Sequence, residues 1–220
     1  MTNIILAFDT ETSGFPPKVD RTKPPVPISE YPHILQLSFV LYDGSKQEII
    51  RTYNEYIKIP DHVQIPESAT RVNGIDKQIC DLRGVPIEAA LLAFCEAYME
   101  ADVVVAHNIA FDRKMMEIEV HRNLPNSPKM LSLFNELFND LRGIRTECTM
   151  VMGKFVCDLY VEKNGQKWKK APKLSELHFH LFGTVPDNLH DALVDTTACL
   201  NCYLQMSRGG GNRRFPSVSK

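Results

Sequence analysis

Strand-like runs crowd the first 58 residues, and from residue 86 onward such runs alternate with helix-like ones. That order restricts the fold most, because hairpin strands followed by strand–helix units build a mixed sheet covered by helices. Residues 3–8 read as a buried strand, and 33–42 (HILQLSFVLY) and 47–58 (QEIIRTYNEYIK) as two strands joined at Asp43-Gly44. Residues 66–73 suit a short helix stopped by Gly74, and 86–100 a longer amphipathic helix with Pro86 at its start. Residues 102–106 (DVVVA) are the clearest buried strand, and Asn108 is placed to cap a helix over 109–122. A last strand is expected at 144–150 and helices at 173–182 and 191–206, with the lysine-rich stretch 163–173 as a basic loop. The expected fold class is α/β, a mixed sheet flanked by helices.

The length of 220 residues suits one domain with a sizeable core. A net charge of −2 gives no overall basic footprint, so a polyanionic partner requires a local basic patch or bound metal. No apolar run approaches the ~20 residues of a membrane span. The N-terminus lacks a basic n-region and reaches Asp9 at once, so the expectation is a cytoplasmic chain without membrane contact. Six cysteines in apolar sequence imply a reduced compartment, and Cys199 and Cys202 read as core residues one helical turn apart. Residues 15–32 form a proline-rich insertion, expected to be a stiff extended loop, and 123–143 are less regular. The tail 207–220 is expected to be disordered, which leaves 1–206 as the domain.

Three clues point to chemistry. In ILAFDTETSGF (5–15) an apolar strand ends in Asp9 and Glu11, whose side chains share one face if the strand continues. Like charges so placed repel unless a cation sits between them. Alternatively the strand has already ended and Ser13-Gly14 opens a turn that solvates both acids. In NIAFDRKMMEIEV (108–120), Asp112 falls inside the apolar stripe of Ile109, Met115, Met116 and Val120. A core-facing carboxylate is costly unless it binds metal or pairs with a cation such as Arg71 or Arg145. In NLHDALVDTTACLNCY (188–203), Asp195 shares a helix face with Ala192, Cys199 and Cys202, whereas Asp191 suits the first turn, where free N–H groups attract it. His190 lies five residues before Asp195, about 140° round a helix, so it must sit at or before the helix start to join the same site. Four inward carboxylates, with no cysteine or paired histidine beside them, suit Mg²⁺ or Mn²⁺. Two such ions ~3.5–4 Å apart clamp an in-line displacement at phosphorus.

FDTETSG, AHNIAFD and His190-x₄-Asp195 together resemble the three motifs of the DnaQ-like 3′→5′ exonucleases, DEDDh group. The resemblance runs from about residue 3 to 206 and takes in KLSELHFHLFG. It implies a ribonuclease H-like fold, with a five-stranded mixed sheet and helices on both sides. It also implies two Mg²⁺ or Mn²⁺ ions held directly by Asp9, Glu11 and Asp195, and by Asp112 partly through water, with His190 as general base. Thr10 and Thr12 would help hold the terminal nucleotide, with Asn108 and Phe111 near it; core packing is the alternative for Phe111. Asn73 stands where many relatives have histidine before Gly-Ile, and it still offers an amide to a nucleotide. The implied substrate is a single-stranded or frayed 3′ end, DNA in preference to RNA, releasing nucleoside 5′-monophosphates. Lys167-Trp168-Lys169-Lys170 is either a strand contact or a solvated charged loop. Two rival readings are a ribonuclease H-type endonuclease and an exonuclease-fold binding module serving a polymerase. Association with a polymerase or with itself is the expected protein partnership.

Overall fold

The computed structural model describes residues 3–18, 22, 24–123, 132, 134 and 143–209. Strands β1 (Ile4–Thr12), β2 (Ile34–Asp43) and β3 (Glu48–Tyr56) are antiparallel neighbours. Strands β4 (Val103–Ala106) and β5 (Arg145–Cys148) continue the sheet in parallel on the other side of β1, giving the order β3-β2-β1-β4-β5. Helices α1 (Glu67–Asn73), α2 (Lys77–Arg83) and α3 (Ile87–Glu100) link β3 to β4, and α4 (Ile109–Asn123) follows β4. After β5 come α5 (Thr149–Gly153), a hairpin of β6 (Tyr160–Lys163) and β7 (Gln166–Lys169), then α6 (Leu174–Phe182) and α7 (Ala192–Gly209). This is the five-stranded mixed sheet of the expected fold.

The two-residue period of β1 explains the layering. Leu6 and Phe8 face a core shared with Leu37, Phe39, Leu41 and residues of α3 and α4. Ile5 and Ala7 face the opposite core, with Val40, Leu177 of α6 and Cys199, Cys202 and Tyr203 of α7. Helices therefore cover both faces. Strand β2 is buried along its whole length, which is why it reads as a nearly continuous apolar run. All six cysteines are free and buried, and Cys199 and Cys202 pack into the α7-side core as expected.

Several elements differ from expectation. Strand β1 runs four residues past the predicted end, because β2 supplies ladder partners as far as Thr12. Asp9 pairs with Ser38 and Glu11 with Gln36, so the solvated-turn alternative is overturned. The strand expected at 144–150 stops at Cys148, and the chain turns directly into α5. The basic stretch is not a loop: Lys167, Trp168 and Lys169 lie on β7, reached through Asn164-Gly165 at φ 54 and 72. Positive φ at both central residues matches the strand twist, so Asn-Gly is the sequence mark of this hairpin. Helix α2 is an addition, capped by Asp76, which accepts the Ile79 N–H at 2.8 Å.

Arg122, near the end of α4, clamps the proline-rich segment. It donates to the carbonyls of Ile28 at 3.1 Å and Tyr31 at 2.8 Å and pairs with buried Glu119, which also accepts the Ile34 N–H. Helix α7 reaches Gly209, three residues beyond the expected boundary. The rest of the tail, most of 123–143 and part of 15–32 lie outside the described residues. Among the described residues no helix is long and apolar enough to cross a membrane.

Candidate active site

Two helices, α4 and α7, meet the C-terminal end of β1. Asp9 and Glu11 continue the face of Ile5 and Ala7, which looks toward α7, the helix that carries Asp195. Thr10 points the other way, toward α4. There its backbone N–H and hydroxyl both donate to Asp112 Oδ1, at 3.1 and 2.8 Å. Asp112 is 2% exposed and is therefore satisfied by Thr10 rather than by the arginines considered from sequence. Arg71 pairs with Glu67 and Arg145 with Glu147.

His190 sits two residues ahead of α7, in the left-handed region at φ 75, and Asn188 shares that region at φ 59. This backbone is costly for a residue with a Cβ, of order 1–3 kcal/mol, and such strain clusters at functional sites. The turn is held by the His190 N–H, which donates to Asp195 Oδ2 at 3.2 Å. Asp191 accepts the N–H groups of Leu193 and Val194 at 3.0 and 3.2 Å, the capping role expected for it. Ligand atoms of Glu11, His190 and Asp195 lie within 4.8 Å of one another. His190 thus stands among the acids.

The acids are electrostatically frustrated. Burial, then the charges of Asp112, Asp195, Glu11 and Asp191, push Asp9 well above the usual carboxylate range. Glu11 is pushed up to about 8 by burial and by Asp195, against a hydrogen bond from Asn73 that lowers it. Burial raises Asp112, although the Thr10 bonds oppose the shift. Burial also raises Asp195, opposed by the His190 N–H. Asp195 Oδ1 is buried with no hydrogen-bond partner among the described residues. An orphaned carboxylate oxygen in a set dominated by carboxylates is what a hard divalent cation satisfies, and its charge reverses the pKa logic of every acid around it. The donors present therefore fit Mg²⁺ or Mn²⁺.

Residues 6–203 match the family model RNase_T, described as exonuclease. The chain belongs to the RNase_T exonuclease family. Membership bears out the expected kinship with the DnaQ-like exonucleases. Among solved structures, Escherichia coli exonuclease I in complex with a dT13 oligonucleotide matches with a TM-score of 0.65 at 16% identity, over 94% of this chain and 41% of that one. The zinc-bound form of the E. coli exonuclease I–single-stranded DNA complex matches at 0.63 and 16%, over 96% and 42%. Exonuclease I from the moderately thermophilic Methylocaldum szegediense matches at 0.65 and 18%, over 96% and 41%. The chain thus spans about two-fifths of those chains and shares their fold. Compared by sequence with curated proteins, it matches none.

The remaining expected site residues sort by their contacts. Thr10 is buried, its hydroxyl on Asp112, and Thr12 is buried with its hydroxyl on the Gly14 carbonyl at 2.7 Å, so both hydroxyls are committed inside the protein. Asn73 donates to the Thr12 carbonyl at 3.3 Å and accepts the Ile75 N–H at 3.0 Å, which fixes its amide beside Glu11. Asn108 is exposed at φ 69, and its carbonyl accepts the Phe111 N–H. Phe111 is partly buried against the α4-side core, and its ring meets Phe15 edge-on at 6.2 Å between centroids. Phe15 is 89% exposed, an aromatic that the sequence reading passed over, although it closes the motif that carries Asp9 and Glu11. His107 was also missed. Its ring joins Thr149 Oγ1 at 2.9 Å and the Pro172 carbonyl at 3.2 Å, tying the end of β4 to α5 and to the segment after the hairpin.

Proposed function

We propose that this exonuclease removes nucleotides from the 3′ end of single-stranded DNA, releasing nucleoside 5′-monophosphates. The observation that carries the reading is the convergence of Asp9, Glu11, Asp112 and Asp195 with His190 at the end of one strand, with Asp195 Oδ1 left without a partner. Asp9, Glu11 and Asp195 would hold two Mg²⁺ or Mn²⁺ ions directly, and Asp112, fixed by Thr10, would complete the set partly through water. Bound divalent ions supply an activated water and offset negative charge at phosphorus.

His190 takes the proton of the attacking water. It is exposed, its turn is held by Asp195, and its ring stands close to Glu11 and Asp195, where the attacking water would lie. Imidazole is the side chain best matched to proton transfer near neutral pH. Asn73 holds its amide between Thr12 and Glu11 and so fixes the carboxylate beside which the terminal nucleotide would enter. Phe15 and Phe111 present ring faces for the terminal base, a sequence-tolerant contact. The β6–β7 hairpin offers Trp168 at 47% exposure among lysines as a second contact for a longer strand. A groove that combines cationic and aromatic groups is the usual device for unpaired strands.

DNA is preferred to RNA because the similar exonuclease I structures carry dT13 and dA16 oligonucleotides. The deciding experiment offers 5′-labelled single-stranded and mismatched-duplex DNA and RNA, with Mg²⁺ and with chelator. A ladder that shortens from the 3′ end of single-stranded DNA only with Mg²⁺ is the expected result. Cleavage of a closed circle would replace the reading with an endonuclease. The solution mass of the protein, alone and with a replicative polymerase, tests the partnership with a polymerase or a second copy.

A further inference from the structure

Gln36 on β2 is the ladder partner of Glu11 and is 2% exposed. Its side chain does not stay within the sheet. The Oε1 atom accepts the N–H of Ala192, the first residue of α7, at 3.3 Å. The Nε2 atom donates to Asn54 Oδ1 on β3 at 2.9 Å and to Asp191 Oδ2 at 3.4 Å. One turn farther along α7, Thr196, fully buried, donates its hydroxyl to the Ser38 carbonyl at 3.4 Å.

Gln36 and Ser38 are two apart on a strand, and Ala192 and Thr196 four apart on a helix, so each pair shares a face. The first turn of α7 is thereby fastened to β2 at two points, and Asp195 lies between them in the chain. Only a neutral amide meets every demand at position 36. Its oxygen takes the free N–H of a helix start, while its nitrogen faces two acceptors. A carboxylate there would add another negative charge beside Glu11 and Asp191. A hydrocarbon would leave the Ala192 N–H buried without a partner. The Ala192 N–H, which can only donate, and the Asp191 carboxylate, which accepts, fix which way the amide lies, and Asn54 Oδ1 then holds its nitrogen from β3.

We propose that Gln36 is a positioning residue: through Ala192 and Asp191 it sets where α7 begins, and so how far Asp195 and His190 stand from Glu11. The proposal rests on the exonuclease reading above for its turnover arm alone. Gln36 does not touch substrate; it acts on the site only through the helix that carries half of it.

The test compares wild type with Gln36→Met, which keeps length and volume without hydrogen bonds, and with Asn54→Ala, which removes only the β3 partner of the amide nitrogen. Four quantities are read: Mn²⁺ affinity by calorimetry, hydrogen exchange of the 192–196 amides, melting temperature, and kcat and KM on 5′-labelled single-stranded DNA. Groups behind a metal ligand typically alter affinity or activity by roughly 10–100-fold. Gln36→Met is expected to lose that much in Mn²⁺ affinity and kcat, with faster exchange at Ala192 and KM within about twofold. Asn54→Ala shifts the same readouts by less, and adding it to Gln36→Met costs nothing further, because it acts through the missing amide. A Gln36→Met protein with unchanged Mn²⁺ affinity and exchange, or one that only melts earlier, overturns the proposal. Additive losses in the double variant also overturn it. Should Gln36→Met fail to fold, Asn54→Ala alone decides, since unchanged Mn²⁺ affinity there is equally fatal. Affinity and exchange need no substrate, so a wild type inactive on 3′ ends would refute the exonuclease reading and leave this one standing.

Discussion

One oxygen of Asp112 receives two hydrogen bonds from a single residue 102 positions earlier in the chain, Thr10, whose N–H and hydroxyl both aim at it. The pair joins the sheet to α4 at the point where two strand carboxylates need company. Thr10→Val keeps the shape and the N–H but removes the hydroxyl donor. Weakening the support of a buried carboxylate costs about 1–3 kcal/mol. Urea melts at pH 8 in chelator are expected to show that loss, and a Mn²⁺ titration a weaker site. An unchanged melt and titration would make the hydroxyl contact incidental.

His190→Gln separates base from ligand. Loss of a general base is expected to slow turnover by roughly 10²–10⁴-fold. Mn²⁺ affinity should stay within a few-fold, because the acids remain. A large drop in affinity would make the ring a metal ligand, which its closeness to Glu11 and Asp195 permits.

Without metal, the acids make stability depend on pH in an unusual direction. Glu11 titrates near 8 in the folded chain against a usual 4.5, so the folded state holds its proton more tightly than the unfolded one. Stability from this group is full below about pH 4.5 and is lost as pH rises through 8. In chelator, Glu11→Gln should therefore gain stability over wild type as pH rises from 5 to 8. Saturating Mg²⁺ should reverse the order at pH 8. Parallel curves in chelator would disprove the crowding of charge.

His107 gives the opposite sign. Burial lowers it to about 4, against a backbone hydrogen bond to Pro172 that raises it. The unfolded chain then takes up the proton first, so stability is full above about pH 6.5 and falls as pH drops to 4. The span corresponds to at most about 3 kcal/mol. Subtracting the pH profile of His107→Asn from that of wild type isolates this contribution from the acids. A flat difference between pH 4 and 7 would rule it out.

Trp168 is the single tryptophan of the chain, so its fluorescence reports on the hairpin alone. An unpaired oligonucleotide should quench it if a base stacks there. Lys167→Ala with Lys169→Ala should flatten the salt dependence of binding by about one to two log–log units. These lysines already have company, Lys167 over the Tyr160 ring and Lys169 beside Asp158. A steady signal and an unchanged slope would return the hairpin to a solvated surface.

The site was legible where its chemistry is local. Asp9, Glu11, Asp112 and Asp195 each break an apolar period that a few neighbouring residues define, and His190 was placed ahead of α7 by helix geometry alone. Contacts between distant segments left no such mark. Neither the Thr10–Asp112 bond nor the Gln36 bridge to α7 has a sequence period, because each joins elements whose spacing only the folded sheet sets. The β6–β7 hairpin was missed for another reason. Its lysines look like a solvated loop, and they outweighed the short Asn164-Gly165 signal. Helix α2 escaped because Leu82, 76% exposed, blurs its apolar face.

The burial of every cysteine also shapes what can be done with this protein at the bench. Cys80 is held at about 11 and Cys95 and Cys202 at about 12 by burial, and none of the six thiols is exposed. Only the thiolate reacts with maleimides and iodoacetamides, so the natural side chains stay silent to such reagents in the folded state. A single cysteine engineered at the tip of the β6–β7 turn becomes the one place a dye attaches. A dye there, paired with a second on the 3′ nucleotide, turns strand arrival and departure into a distance signal recorded one molecule at a time.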